Sequence, residues 1–251
     1  MNEAVGPASC DPGETAYQGP VVVTNLEIGG RAIAVVRPGD PDRLLDDPGV
    51  LEWNRRDDYM PYWAYLWPGA HLLANAVMRE PWPDRPGMPS EFDTLEIGCG
   101  LGVAGLAALA RGRNVLFTDY DLAPLDFVTR SAALNGFDST RYAVRRLDWR
   151  HLSNEQFPVI LGADVIYEAV LVPLVANVLA QLLAPGGVGL IATPYRVAAE
   201  AFPAAVRSHG LACEARLAHV RLDGNRVLEG TVYRVTPAAN SAVPDLIEAS
   251  R

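Results

Sequence analysis

Four predicted strands each carry an acidic side chain at their carboxyl end. Glu96 lies just before a glycine-rich turn, and Asp119, Asp148 and Asp164 close the later stretches. In open α/β sheets, ligands bind at the carboxyl ends of the parallel strands. The sequence therefore predicts one polar site at this edge of the sheet, where carboxylates can hold hydroxyl groups or a cationic group.

The first of these strands continues into a glycine turn and a helix. Residues 94–106 read Thr-Leu-Glu-Ile-Gly-Cys-Gly-Leu-Gly-Val-Ala-Gly-Leu. Glycine permits positive φ and lets a ligand touch bare backbone, and the free N–H groups at a helix start favour an anion or carboxylate. The turn therefore indicates a nucleotide-like cofactor.

This turn fits two cofactor templates. The G-x-G-x-x-G fingerprint of dinucleotide-binding proteins is satisfied by Gly100, Gly102 and Gly105. The stretch also resembles the E-x-G-x-G-x-G loop of class I S-adenosylmethionine (SAM) methyltransferases, through Glu96, Gly98, Gly100 and Gly102. The turn alone does not separate a nicotinamide cofactor from SAM.

The elements downstream favour the second template. The pattern predicts further strands and helices over 103–110, 114–118, 122–134, 142–146, 157–162, 173–183 and 188–193. Residues 212–222 and 226–235 predict a hairpin around the turn 223–225. A nicotinamide domain needs a second βαβαβ half to seat its second nucleotide, whereas these strands end in an antiparallel hairpin.

The predicted fold class is therefore α/β, a doubly wound and mostly parallel seven-strand sheet with the Rossmann-like arrangement of methyltransferases. An N-terminal β-hairpin over 21–28 and 31–36 is expected to cap the edge of the main domain, and the C-terminal hairpin completes the sheet. Residues 51–58 are expected to form a polar connection.

The domain organisation follows from these elements. We expect a mobile leader over 1–19 and a single domain over 20–236, of which 20–60 is the hairpin and cap and 61–236 the catalytic sheet. A proline-rich linker over 81–89 leads into the first strand of the sheet, and a mobile tail is expected over 237–251.

Composition limits the function. The chain has 251 residues and a net charge of -9, which disfavours nucleic-acid binding. All 21 basic side chains counted as Lys or Arg are arginines, which excludes lysine-based P-loop, Schiff-base and general-base chemistry. Three scattered cysteines and four histidines show no metal spacing. We expect reduced thiols, no metal, no membrane span and a cytoplasmic location.

An aromatic segment precedes the sheet. Five rings fall within nine positions, at Tyr59, Tyr62, Trp63, Tyr65 and Trp67, directly before a helix that starts at Pro68. Aromatic clusters are more often core than cofactor contact. Here the cluster stands at a helix start near the predicted site, which favours a role in binding.

Together these motifs resemble the family of seven-strand protein-lysine methyltransferases, whose members modify elongation factors, chaperones or the β subunit of electron transfer flavoprotein. The segments that carry the resemblance are 62–70, 95–102, 147–149 and 162–167. It extends over about 21–235 and implies SAM as cofactor and a lysine of a partner protein as acceptor.

The resemblance also implies a role for each site residue. The turn from Glu96 to Gly102 would hold the methionine part of SAM. Asp119 would bind the ribose, as its place about 20 residues beyond the turn also suggests, and Asp121 would cap the next helix. Asp148 and Trp149 would hold the adenine, and Trp67 would lie against the cofactor.

The substrate side would be formed by two groups of residues. Asp164 and Tyr167 would face the substrate channel and act on the acceptor, and Trp63 and Tyr195 are candidate walls of that channel. Asp164 would recruit and align an ammonium group rather than act as a strong base.

Other interpretations remain open at this point. A small-molecule N- or O-methyltransferase acting on an amine would use the same cofactor, and a non-catalytic partner-binding module could share the fold. A nicotinamide oxidoreductase is disfavoured by the order of elements. The sequence does not give the methyl acceptor, the number of methyl groups transferred or the oligomeric state.

Overall fold

The computed structural model describes residues 17–82, 91–222 and 226–238. In this part of the chain the strands and α-helices are β1 (Val21–Ile28), β2 (Arg31–Pro38), α1 (Pro48–Asp57), α2 (Pro68–Val77), β3 (Thr94–Glu96), α3 (Val103–Ala110), β4 (Val115–Asp119), α4 (Ala123–Leu134), β5 (Tyr142–Arg146), β6 (Phe157–Ala163), α5 (Leu171–Leu182), β7 (Leu183–Thr193), α6 (Phe202–Ser208), β8 (Leu211–Arg221) and β9 (Val227–Pro237). Four predictions lie wholly or mostly outside the described residues: the leader, the proline-rich linker, the hairpin turn at 223–225 and the tail.

Seven of these strands form one sheet in the order β5-β4-β3-β6-β7-β9-β8. The five strands from β5 to β7 run parallel, and β9 and β8 close the sheet in antiparallel pairing. The predicted α/β fold class is confirmed. Residues of β3 and β4 are buried throughout, as expected for parallel strands covered by helices on both faces.

Apolar side chains pack on both faces of the sheet. On one face, Leu72 of α2, Leu106 of α3 and Val128 of α4 belong to a core cluster that also includes the N-terminal hairpin. On the other face, Leu179 of α5 and Phe202 of α6 belong to a second cluster. The two layers fix the carboxyl ends of β3, β4, β6 and β7 along one edge, where the predicted site residues lie.

The N-terminal hairpin forms as predicted. Strands β1 and β2 make a separate two-stranded sheet, and the backbone of β2 is hydrogen-bonded to side chains of α4 and of the residue that follows it. Val36 N–H donates to Ser131 Oγ at 2.9 Å, and Ala34 N–H donates to Asn135 Oδ1 at 2.9 Å. Buried apolar residues of the hairpin share a core cluster with α2, α3 and α4, so the hairpin packs on this helical layer.

Several local predictions also need correction. Helix α1 occupies the segment expected to be a polar connection, because Asp47 caps it by accepting from the N–H groups of Gly49 and Val50, at 2.8 and 3.2 Å. Residue Tyr17, placed in the leader, packs its ring 6.1 Å from that of Phe127. The residue preceding α4 is Leu122, so Asp121 is not its N-cap.

None of the helices within the described ranges combines the length and the apolar character needed to cross a bilayer.

Candidate functional site

The glycine turn between β3 and α3 is built from left-handed backbone. Gly98, Gly100 and Gly102 have φ of 54°, 50° and 71°, a conformation that side chains with a Cβ rarely adopt. A Cβ at Gly98 would lie 3.1 Å from the Trp149 ring, and one at Gly102 would lie 2.7 Å from Val128. The sequence needs glycine here both for the turn itself and for the close approach of its neighbours.

The carboxylate of Glu96 supports this turn from beneath. Glu96 is 1% exposed, and its Oε2 accepts the N–H of Gly105 at 2.9 Å. Burial raises the pKa of Glu96 to about 8, against the lowering effect of the N–H groups of Gly105 and Ala104. The structure therefore places this predicted cofactor residue under the first turn of α3, where it orients backbone.

Asp119 joins the turn to the end of β4. Its Oδ2 accepts the N–H of Gly100 at 2.8 Å, and its Oδ1 accepts the N–H of Asp121 at 3.0 Å. Burial raises the pKa of Asp119, although these N–H groups act in the opposite direction. Each oxygen has a further lone pair, so the carboxylate can accept from two hydroxyl groups beside the turn.

Asp148 and Trp149 follow β5 on the far side of β4. The Asp148 carboxylate accepts from Arg150 Nε at 2.8 Å and Nη2 at 2.7 Å, which holds its pKa well below the ordinary range. The Trp149 ring lies against Gly98, as the short approach to a Cβ at that glycine shows. Of the two residues expected to hold the adenine, Trp149 thus lies beside the turn, and the carboxylate of Asp148 is engaged by Arg150.

Asp164 follows β6 and has unusual backbone and polar surroundings. Its φ is 53°, and its Oδ2 accepts the N–H of Gly69, in the first turn of α2, at 2.6 Å. The other oxygen, Oδ1, is buried without a hydrogen-bond partner, and the residue is 8% exposed. Burial raises its pKa to about 6, with Gly69 and Arg196 acting in the opposite direction. An oxygen without a partner retains the capacity to accept a hydrogen bond from a donor that reaches it.

Aromatic rings form a row beside these residues. The ring of Tyr62 lies 5.4 Å from Tyr167 and 5.8 Å from Trp67, both edge to face, and Trp67 lies 5.7 Å from Tyr65. Trp67 Nε1 donates to the carbonyl of Tyr62 at 2.6 Å. Tyr62 therefore links the two predicted residues Trp67 and Tyr167, although sequence reasoning did not select it. The signal was present, since Tyr62 belongs to the aromatic segment.

The two predicted channel walls, Trp63 and Tyr195, have different environments. Trp63 is 7% exposed and its ring packs 5.6 Å from Phe127, so the ring faces the core. Its carbonyl oxygen comes within 3.4 Å of where a Cβ of Gly100 would stand, so its backbone lies over the turn. Tyr195 is 66% exposed on the loop after β7. The structure brings Tyr62, rather than Trp63, into ring contact with Tyr167.

Comparison with known proteins gives consistent matches. The sequence profile of a family described as lysine methyltransferase matches residues 64–203. The electron transfer flavoprotein β subunit lysine methyltransferase of Xenopus laevis is 28% identical over 167 residues, which cover 64% of this chain and 65% of that protein. The histone-arginine methyltransferase METTL23 of Mus musculus is 31% identical over 117 residues, which cover 44% of each.

Two further facts define how far these matches reach. Over the aligned parts, the chain spans less than half the length of the first curated relatives it matches. A solved SAM-dependent methyltransferase of Methanosarcina mazei shares the fold with a TM-score of 0.50 at 12% identity, covering 59% of this chain and 94% of that one.

Proposed function

Because this chain belongs to the lysine methyltransferase family, we propose that it is a SAM-dependent N-methyltransferase that modifies a lysine side chain of a partner protein. The observation that carries the proposal is the buried, unpartnered oxygen of Asp164 beside the aromatic row. A carboxylate oxygen in that place accepts from an amine, and the rings around it suit a cation.

The residues around the glycine turn fit SAM. Gly98 and Gly100, both at positive φ, expose backbone without a side chain at the turn. Next to it, the carboxylate of Asp119 can accept further hydrogen bonds. We assign the methionine part of SAM to the turn from Gly98 to Gly102, which Glu96 supports through the N–H of Gly105. SAM, when bound, supplies an electrophilic methyl group on a sulfonium.

The other cofactor assignments follow the same edge of the sheet. We assign the ribose hydroxyls to Asp119 and the adenine end to Asp148 and Trp149, whose ring lies against Gly98. Trp67 stands at the start of α2 in the aromatic row and is assigned to the boundary between cofactor and acceptor. These assignments are consistent with the order of the strands, in which β4 and β5 lie on one side of β3 and β6 lies on the other.

The acceptor side consists of one carboxylate and several rings. Asp164 Oδ1 accepts a hydrogen bond from the lysine nitrogen and fixes its direction, while Tyr62, Tyr167 and Trp67 surround its aliphatic stem. Ring faces attract a cation by roughly 0.5 to 2 kcal/mol. Tyr195, exposed on the loop after β7, is placed at the outer rim.

The same groups prepare the nitrogen for attack. An aromatic, water-poor channel lowers the pKa of an amine, whereas the charge of Asp164 raises it. Asp164 therefore aligns the nitrogen, and the proton leaves to solvent before the methyl group is transferred. Positioning alone supplies about 7 to 11 kcal/mol in well-oriented reactions. The chain itself contains no lysine, so its own surface does not compete for the channel.

We place the reaction in one unit, residues 20–236, and in the cytoplasm. The thiols of Cys99 and Cys213 are unpaired in the structure, which is compatible with a reducing compartment. Fractionation of cells that express the tagged protein checks the location.

Titration with SAM and transfer of a labelled methyl group test the proposal. The protein should bind SAM in an isothermal titration and transfer label from it to a protein band in a cell lysate. Asp164→Ala should bind SAM yet transfer no label. The matched control is Asp126→Ala, which removes an exposed carboxylate of α4 and should transfer normally. Absence of SAM binding by the unmodified protein would overturn the proposal.

A further inference from the structure

We infer that Tyr59 is a positioning residue of the cofactor site, acting through Asp121 on the ribose carboxylate Asp119. The inference rests on the proposed function, because it takes Asp119 as the ligand of the ribose. Tyr59 lies outside the family motifs, in the segment between α1 and the aromatic row.

Three hydrogen bonds connect Tyr59 to the glycine turn. The Tyr59 hydroxyl donates to Asp121 Oδ2 at 2.9 Å. The backbone N–H of Asp121 donates to Asp119 Oδ1 at 3.0 Å, and Asp119 Oδ2 accepts the N–H of Gly100 at 2.8 Å. A displacement of Asp121 therefore reaches both the carboxylate that faces the ribose and the turn beside it.

The position of Tyr59 is itself fixed. Its carbonyl accepts from Asn54 Nδ2 of α1 at 3.1 Å, and four residues further along the chain comes Trp63. The Trp63 carbonyl lies over Gly100. The segment from α1 to Trp63 thus contacts the glycine turn through the Trp63 carbonyl. It is also hydrogen-bonded, through Tyr59, to Asp121 beyond the end of β4.

The charges at this point explain why a hydroxyl donor is needed. Asp119 and Asp121 are two buried carboxylates, 8% and 7% exposed, separated by one residue. Burying a charge without a donor is costly. Burial and these two acids raise the pKa of Tyr59 far above its ordinary value, so its hydroxyl stays protonated and donates throughout the physiological range. The Tyr59 hydroxyl supplies a donor to Asp121 and so holds this residue in place beside Asp119.

Tyr59→Phe tests the inference, with S-adenosylhomocysteine as the probe in isothermal titration. We expect the Kd of the variant for S-adenosylhomocysteine to be roughly tenfold higher than that of the wild-type protein. The free energy of a hydrogen bond to a charged group is large enough for such a change. With an added protein acceptor, the KM for SAM should rise while kcat at saturating SAM is retained. A residue that only stabilises the fold would not produce this split.

Tyr233→Phe is the matched control. Tyr233 lies on β9 and donates to the carbonyl of Ala199 at 3.3 Å, so its replacement also removes a buried tyrosine hydrogen bond. Its Kd for the probe should stay within about twofold of the wild-type value. Asp121→Asn, alone and combined with Tyr59→Phe, completes a double-mutant cycle in which the two effects should be strongly non-additive.

The outcomes separate the inference from the proposed function. If the wild-type protein does not bind the probe, the proposed function fails. If it binds and Tyr59→Phe binds equally well, or if Tyr233→Phe weakens binding as much, the inference is overturned and the proposed function stands. Additive effects of Tyr59→Phe and Asp121→Asn would also overturn it. Circular dichroism of each variant verifies that it is folded.

Discussion

Replacing Asp164 by asparagine should make the protein more stable while removing methyl transfer. Burial raises the pKa of Asp164 from 3.8 to about 6, so folding disfavours its charged form. A difference of this size corresponds to about 3 kcal/mol at 1.36 kcal/mol per pKa unit. The destabilisation is fully present above pH 6 and disappears as the pH falls below 4. Asparagine has the same shape, carries no charge, and its oxygen can still accept from Gly69.

The expected gain in the free energy of unfolding is therefore about 1 to 3 kcal/mol at pH 7.5. The upper value is the free energy that corresponds to the whole rise in the pKa of Asp164. For a chain of this size that corresponds to a rise in Tm of roughly 3 to 10 °C. Transfer should be lost, because the amide presents N–H where Oδ1 of Asp164 accepts. Binding of SAM should be retained.

Urea unfolding of both proteins at pH 7.5 and pH 4 measures the effect. Groups such as Glu96 and Asp119 titrate in both proteins and cancel in the difference. The gain should shrink to less than about 1 kcal/mol at pH 4, where Asp164 is protonated in the folded wild-type protein. A variant less stable than wild type at pH 7.5, or a difference independent of pH, would refute the reasoning.

Three further predictions address the turn and the channel. Gly98→Ala should raise the Kd for SAM at least tenfold in isothermal titration, because a Cβ there would press on the Trp149 ring. The control is Gly112→Ala, also at positive φ but with open space around it, and this variant should bind SAM normally. Burial raises the pKa of Glu96 from 4.5 to about 8, so its ionisation lowers stability progressively as pH rises between these values, and the loss is complete above pH 8. Glu96→Gln should therefore be the more stable protein at pH 9 in urea unfolding. Tyr62→Ala should raise the KM for the protein acceptor several-fold in a titration of acceptor, with Tyr62→Phe close to wild type, and unchanged kinetics in both would contradict its place in the channel.

The parallel core of the sheet could be predicted from sequence because strands such as β4 and β6 are apolar runs that end at or just before an acidic residue. Helix α1 was missed, although Asp47 before Pro48 is a helix-start signal, because its following residues are polar and its core contact is limited. The docking of the hairpin depends on Ser131 of α4 and on Asn135, which follows that helix, about 100 residues away, which local pattern does not reveal.

The candidate site was predicted by residue type more reliably than by orientation. The sequence identifies Asp119 and Asp164 at strand ends, and the structure places both beside the turn or α2. The sequence does not show that the Glu96 side chain lies beneath the glycine turn and accepts from Gly105. Nor does it tell which of two adjacent rings, Tyr62 or Trp63, faces the core, because the short 3-10 helix they share has no clear periodicity.

Identification of the methylated residue tests the central claim most directly. The wild-type protein and Asp164→Asn are incubated with a lysate and SAM labelled on its methyl group, and the protein fraction is hydrolysed and separated into amino acids. We predict label in methylated lysine with the wild-type protein and none with the variant. Label in methylated arginine or histidine, label confined to the low-mass fraction, or equal labelling by the variant would contradict the account.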